Sequence, residues 1–176
     1  WVAYNDWVND GRATVQRWNG QTWEVVGQFA PFVAGFLDLA VDSMGYPLLA
    51  GAGIAGGSGL SVIRWNGTSW NLIGPAEFSS EFITSLSIAL DLDDNPVIAY
   101  LTGAGSVEQN LVRVQRWNGS VWTAFPTAPA GFVRREIGLV LDTNGHPVIG
   151  LQYGESTPKI WGWDGSQWNL LGGDFA

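Results

Sequence analysis

Short runs of alternating apolar and polar residues, separated by turns rich in glycine, asparagine and aspartate, cover almost the whole chain. Three of them, Leu37–Asp42, Leu86–Asp91 and Ile137–Asp142, end in aspartate and are followed five residues later by a proline that opens another apolar run. This period of two is that of a strand with one buried face, and the runs are rich in β-branched residues. The pattern predicts an all-β fold with no helix longer than about one turn.

The same order of elements recurs along the chain, so we interpret it as a repeat protein. A motif of the form Trp-Asn-Gly-x-x-Trp, with Asp in place of Asn in the last copy, begins at residues 18, 65, 117 and 163, and we call it the tryptophan motif. Each unit consists of the apolar run that ends in Asp, a turn, the run that begins with proline, a loop and the tryptophan motif. Four strands are expected in each unit, and the approximate repeat boundaries are 1–31, 32–80, 81–131 and 132–176.

The first repeat is shorter than the others and lacks one strand. When Trp1 is aligned with Pro47, the chain holds fifteen strands, and the missing piece corresponds to residues 32–46, an inner strand with its turn. A sheet without that strand would expose an unpaired edge around Val2–Tyr4, and proteins rarely leave such an edge uncovered. We therefore expect self-association with a neighbouring subunit, or a strand from outside this segment, to complete the first repeat.

The tryptophan motif is predicted to form a β-hairpin. Asn-Gly between two strands is the strongest signal for a two-residue loop of type I′, which requires positive φ at both residues. With Asn19 and Gly20 as this loop, Trp18 and Trp23 would lie diagonally on one face, within contact of each other. We interpret the tryptophans as a packing layer, with exposure on a ligand-binding face as the alternative. The residues concerned are Trp18, Trp23, Trp65, Trp70, Trp117, Trp122, Trp163 and Trp168.

Four-stranded units of about 49 residues have the size of a β-propeller blade. In its Val-x-Arg-Trp-Asn-Gly-x-x-Trp motifs and Asp-x-x-Gly-x-Pro turns, the chain resembles the tryptophan-rich propeller repeats of large secreted bacterial proteins, a family of uncharacterised function. The resemblance implies a single propeller domain, or a fragment of a larger propeller, and an extracellular or cell-surface location. It also implies that the run ending in Asp is the innermost strand and the tryptophan hairpin the outermost pair.

Composition excludes several classes of protein. The net charge of −8 arises from 16 acidic and 8 scattered basic residues, which opposes nucleic-acid binding because that needs a clustered basic surface. There is no cysteine, so neither a disulfide framework nor a thiolate metal site can form. No apolar run approaches the length of about 18 residues that a membrane span requires.

No pattern in the chain indicates an enzyme. Most of the carboxylates recur at equivalent repeat positions or lie in turns, whereas catalysis needs an asymmetric group of side chains. The single histidine, His146, lies in a turn where another repeat has Tyr46. Neither a nucleophile elbow nor a zinc-protease or phosphate-loop motif is present. We therefore predict a non-catalytic protein.

Two sets of charged residues have alternative interpretations. Asp91, Asp93 and Asn95 place oxygens at alternate positions, like the start of a calcium loop, but the glycine and the closing glutamate of that loop are absent. A turn capped by its own side chains is the main interpretation, with calcium as the alternative, and no other cofactor is expected. The repeated arginines are expected to pair with acidic residues of a neighbouring blade or to stack on aromatic rings. These residues are Arg17, Arg64 and Arg116.

Three functions fit these observations. The first is a non-catalytic surface-binding or structural module, self-assembling through the open blade. The alternative is a multivalent propeller lectin in which each blade offers an aromatic-walled pocket to a glycan. An enzyme with a site at the central opening is the third, and it would need a cluster of non-repeating polar residues. Exposure of the tryptophans distinguishes the first two, because a scaffold buries them between blades and a lectin exposes them.

Overall fold

The computed structural model describes residues 1–27, 35–52, 59–79, 81–103, 111–128, 133–153 and 157–171. Within them the chain forms strands and one short 3-10 turn, Trp7–Asn9. The strands are β1 Val2–Asp6, β2 Arg12–Trp18, β3 Trp23–Val25, β4 Phe36–Val41, β5 Pro47–Ala52, β6 Leu60–Trp65, β7 Trp70–Leu72, β8 Ile83–Leu90, β9 Pro96–Thr102, β10 Leu111–Trp117, β11 Trp122–Ala124, β12 Val133–Leu141, β13 Pro147–Tyr153, β14 Thr157–Trp163 and β15 Trp168–Leu170.

The strands form four antiparallel sheets, each built from consecutive strands. Within the described residues, three sheets have four strands, in the orders β4-β5-β6-β7, β8-β9-β10-β11 and β12-β13-β14-β15, and the first has three, β1-β2-β3. The prediction of an all-β array with one sheet lacking its inner strand is confirmed. No helix in the described part of the chain could cross a membrane.

The described residues divide into two compact units, 1–80 and 81–176, each containing two sheets. In the first unit, Ala13 and Val15 of the first sheet pack with Leu49 and Ile63 of the second. In the second unit, one face of the β8–β11 sheet packs in the same way on the β12–β15 sheet, through a larger apolar cluster. Its buried members include Val97, Leu101, Val114, Ile149 and Leu151.

The turns between the first two strands of the complete sheets are capped by the aspartate that ends each apolar run. Asp42 Oδ1 accepts hydrogen bonds from the amides of Met44, at 3.0 Å, and Tyr46, at 2.8 Å. Gly45 has φ of +83°, as the turn requires, and Asp94 takes the same left-handed conformation with φ of +60° at the position where the repeat lacks a glycine. The prolines that open the next strands agree with the sequence prediction, as does the turn at Asp91, which its own side chain caps.

The predicted loop of the tryptophan hairpin is wrong by two residues. Trp18 and Trp23 lie directly opposite each other, so the loop has four residues, 19–22. Asn19 Oδ1 accepts hydrogen bonds from the amides of Gln21, at 2.9 Å, and Thr22, at 2.8 Å. A type I′ turn would need positive φ at Asn19 as well, but only Gly20 has it, with φ of +102°. The asparagine therefore acts as a side-chain cap rather than as a left-handed turn residue.

The alignment of Trp1 with Pro47 is also wrong, by one position. Val2 pairs with Gln16, which by continuation places Trp1 opposite Arg17. Leu48 is the residue opposite Arg64, the counterpart of Arg17. Trp1 therefore corresponds to Leu48, and it packs at the margin of the apolar cluster of the first unit.

A largely buried ion pair connects the first and third strands at one end of the second sheet. The side chain of Asp42 is fully buried, and its Oδ2 accepts a hydrogen bond of 2.9 Å from Nε of Arg64 and a second one from Nη2. The same carboxylate thus caps the β4–β5 turn and holds the guanidinium at the end of β6. Asp142, at the same turn in the last sheet, is more exposed and faces His146, because Gly162 replaces the arginine.

We predict that Asp42→Ala lowers the free energy of unfolding by about 3 kcal/mol, because it leaves a guanidinium and two turn amides without their buried partner. Asp142→Ala is the matched control, and we expect it to lower stability by about 1 kcal/mol or less because water can replace an exposed carboxylate. Urea denaturation of both variants measures the difference. Equal losses would show that the buried pair adds nothing to the turn.

Candidate ligand-binding groove

The two tryptophans of each hairpin are in contact, as predicted. Their ring centroids are 5.5–5.6 Å apart in all four hairpins, and the rings are tilted against each other. This arrangement follows from the direct pairing across the hairpin, because side chains of opposite residues project from the same face.

The second tryptophan of the hairpin connects neighbouring sheets. Nε1 of Trp70 donates a hydrogen bond of 3.3 Å to the carbonyl of Val26 in the first unit. Nε1 of Trp168 donates one of 2.8 Å to the carbonyl of Pro126, one residue beyond the counterpart of Val26 in the second unit. Each indole thus satisfies its only donor on the backbone of the preceding sheet, and we call this contact the tryptophan staple.

Burial of the tryptophans follows this division of roles. Trp168 is only 9% exposed, and Trp70 is half-buried. Trp18 and Trp23 are 49% and 50% exposed. The prediction that the tryptophans form one uniform layer is therefore too simple, since some connect sheets and others face solvent.

A groove of about 380 Å³ lies between the first and second sheets, and we call it the first groove. Aromatic side chains form part of its wall, with Trp1 on one side and Tyr46 and Trp65 on the other, while most of the accessible lining is polar. Gly27 permits the close approach of these sheets, because a Cβ at this position would lie 2.5 Å from Cζ3 of Trp65.

The first groove has a charged end that faces solvent. Arg17 Nη2 lies 3.5 Å from Glu24 Oε2, and both side chains are about half exposed. The other carboxylate oxygen, Oε1, accepts a hydrogen bond of 2.5 Å from Asn19 Nδ2. The guanidinium also lies 5.9 Å from the ring centroid of Trp1. The groove therefore offers a donor and an acceptor beside aromatic rings.

The second groove, of about 360 Å³, occupies the equivalent position between the β8–β11 and β12–β15 sheets. Its chemistry differs, because Phe125 replaces Val26 and packs against Trp163 with centroids 5.7 Å apart. Thr123 stands where the first groove has Glu24. Arg116 lines this groove but bonds to the carbonyl of Gly145 and lies over the ring of Phe125. The second groove is therefore mainly apolar.

The arginines make ion pairs within their own sheets, which corrects the expectation of pairs between blades. Arg64 pairs with Asp42, and Arg116 Nε lies 4.0 Å from Asp91 Oδ2. The reason is geometric, since the aspartate that ends the inner strand faces the arginine across one intervening strand. Stacking of arginine on aromatic rings is confirmed for Arg17 and Arg116.

Sequence reasoning missed the charged end of the first groove. Among the proposed tryptophan sites, Trp65 lines the first groove and Trp163 lines the second. A signal for the rest existed in the comparison of repeats, because Glu24 is the only carboxylate at its repeat position. The other repeats have Asn71, Thr123 and Asn169 there.

The residues proposed for calcium form a capped turn. Asp91 Oδ1 accepts hydrogen bonds from the amides of Asp93, at 3.0 Å, and Asn95, at 2.9 Å, while Oδ2 faces Arg116. No group of three or more histidine, aspartate or glutamate side chains suited to a metal occurs in the described part of the chain. These contacts favour the turn, and calcium binding stays a prediction without a ligand cluster to support it.

No protein-family model and no curated protein matches the chain in sequence. Among solved structures it is similar to the fungal lectin of Aleuria aurantia, a six-bladed β-propeller with fucose recognition, with TM-score 0.68, 16% identity and coverage of 95% of this chain and 57% of the lectin. The N224Q mutant of that lectin with Fucα1-6GlcNAc gives TM-score 0.69 at 17% identity, with 95% and 57% coverage. A fucose lectin of Kordia zhangzhouensis with methyl-fucoside gives TM-score 0.52 at 16% identity, with 79% and 99% coverage.

These similarities establish the fold. The sheets have the β-propeller architecture predicted from the sequence, and the chain spans just over half the length of the Aleuria lectin. A source among secreted bacterial proteins stays a prediction.

We predict that Trp168→Ala lowers the free energy of unfolding by about 3–5 kcal/mol, because it removes a buried ring and the staple to the preceding sheet. Trp23→Ala removes the same residue type at the same repeat position from an exposed site, so its effect is expected to be about 1 kcal/mol. Chemical denaturation monitored by circular dichroism compares the two variants. Similar losses would mean that the staple does not stabilise the second unit.

Proposed function

We propose that this chain is a non-catalytic, carbohydrate-binding propeller module and that the first groove is its binding site. The observation that carries the proposal is the joint presence of Arg17, Glu24 and the aromatic side chains of Trp1, Tyr46 and Trp65 around one open groove. Its volume falls within the range of about 300–1,000 Å³ that is typical of small-ligand pockets.

The chemistry of the groove suits a sugar. Each sugar hydroxyl both donates and accepts hydrogen bonds, so a carboxylate acceptor beside a guanidinium donor can bind two adjacent hydroxyls. The C–H face of the same ring is apolar and packs against aromatic side chains. Pockets that combine aromatic walls with a few polar groups bind ligands in one fixed orientation.

The groove is suited to binding rather than to hydrolysis. Glycoside hydrolases mostly act through a pair of carboxyl groups on either side of the scissile bond. Glu24 is the only carboxylate that lines the first groove within the described residues, and Asn19 and Arg17 already hold it. A lectin is therefore favoured over an enzyme.

The second groove is a weaker candidate for the same ligand. It offers threonine where the first groove has a carboxylate, and its arginine is bonded to a backbone carbonyl. We therefore expect one sugar site in these two grooves rather than a site at every blade.

This proposal favours the lectin, the alternative in the sequence analysis, over a structural module without a sugar ligand. The neighbours that bind fucose or a fucoside suggest a 6-deoxy sugar as the first ligand to test. Its methyl group would face the aromatic wall and its hydroxyls the charged end. An extracellular or surface location is part of the proposal, because glycans are displayed there.

We predict saturable binding of methyl α-L-fucoside to the 176-residue chain in isothermal titration calorimetry. Glu24→Gln keeps the size of the side chain but removes the charge that a hydroxyl donates to, and it should weaken binding at least about tenfold. Thr123→Ala, at the same position of the second groove, is the matched control and should leave the affinity unchanged.

Two results would contradict the proposal. One is the absence of heat with methyl α-L-fucoside together with no signal above background on a glycan array. The other is binding that survives Glu24→Gln but is lost in Thr123→Ala, since it would place the sugar in the second groove.

A further inference from the structure

We propose that the free edge of β1 and the side chain of Arg17 together form a docking site for an extended peptide strand that ends in an aspartate. The occupant has the pattern of the chain's own inner strands, apolar residues at alternate positions followed by Asp. It would convert the three-stranded first sheet into a four-stranded one by strand addition.

Strand β1 is less buried than the equivalent strands β5 and β9. In the described residues, β1 pairs with β2 on one side and with no strand on the other. None of its five residues is buried, whereas β5 and β9, which have strands on both sides, are buried along their whole length. Tyr4 is 37% exposed, and Tyr100, its counterpart in β9, is 1% exposed. The edge is thus both apolar and unpaired, which is the surface that strand addition uses.

Arg17 has a different acidic partner from its counterparts in the other sheets. Arg64 and Arg116 both face the aspartate that ends the inner strand of their own sheet, Asp42 and Asp91 respectively. Arg17 lies at the end of β2, in a sheet whose described residues include no inner strand, and its partner is the exposed Glu24 instead. A strand that docks on β1 in the register of β4 on β5 would bring its terminal aspartate to Arg17.

A buried polar atom on β1 also indicates a missing neighbour. Oδ1 of Asn5 is buried and has no hydrogen-bond partner among the described residues. Asn5 corresponds in register to Ala52, which lies opposite Phe36 of the inner strand in the second sheet. A docked strand would therefore place one of its residues directly beside Asn5, where its backbone or side chain can supply the missing donor.

The probe for this site is a capped synthetic peptide with the sequence of residues 36–46, the inner strand and turn of the second sheet. We expect it to bind the 176-residue chain saturably in fluorescence anisotropy and to slow amide hydrogen exchange at Val2–Asp6. The amides of β9, which is already paired on both sides, should exchange at an unchanged rate and serve as the internal control.

The role of the charge is tested by a double-mutant cycle. Replacing the peptide aspartate that corresponds to Asp42 by asparagine should weaken binding about tenfold, as should Arg17→Gln in the protein. The two changes together should weaken it no further, because they remove the same pair. Glu24→Gln should still bind the peptide, so loss of sugar binding and loss of strand binding are distinguishable.

Two outcomes overturn the inference. If the peptide does not slow exchange at Val2–Asp6, the edge does not accept such a strand. If exchange there slows with protein concentration in the absence of peptide, and light scattering detects dimers, a second copy of the chain occupies the edge instead.

Discussion

The contact between an indole N–H and a backbone carbonyl of the preceding sheet connects the two sheets of each unit. Trp70 and Trp168 occupy the same repeat position, and each makes this contact from the shortest strand of its sheet. Because the indole is large and its donor must be satisfied when it is buried, the staple limits how closely the two sheets can approach at this point. The space that remains between the two sheets is a groove. Its shape follows from the packing of the sheets rather than from a ligand.

The chemistry of each groove depends on the positions that packing leaves free. Val26 in the first unit is small enough to leave the aromatic wall open, whereas Phe125 at the same place covers Trp163 and draws Arg116 over its ring. Two differences between repeats, Phe125 for Val26 and Thr123 for Glu24, thus separate a polar, open groove from an apolar one. In a repeat fold, the scaffold is the part that recurs, and specificity is found where the repeats differ.

This distinction also explains which features could be predicted from the sequence. Strand order, capped turns and the contact between paired tryptophans follow from local patterns, so the sequence predicted them correctly. The hairpin register was wrong because an Asn-Gly pair suits both a two-residue turn and a side-chain-capped loop of four residues, and the choice at Asn19 depends on backbone angles. The first groove was missed because its residues come from four separate stretches of sequence, around Trp1, Glu24, Tyr46 and Trp65. No local pattern relates them, although the unique carboxylate at Glu24 marked the repeat that departs from the others.

Arg17 connects the groove with the open edge of the first sheet. In a complete sheet the aspartate of the inner strand binds the guanidinium, as Asp42 binds that of Arg64. The arginine side chain therefore has little conformational freedom. In the first sheet the same side chain is exposed and bonds to Glu24, the acceptor proposed for a sugar hydroxyl. A strand that supplied an aspartate would compete with Glu24 for the guanidinium, freeing the carboxylate and fixing the arginine in one orientation. Completion of the sheet would therefore preorganise the groove, because less conformational entropy would remain to be lost when a ligand binds.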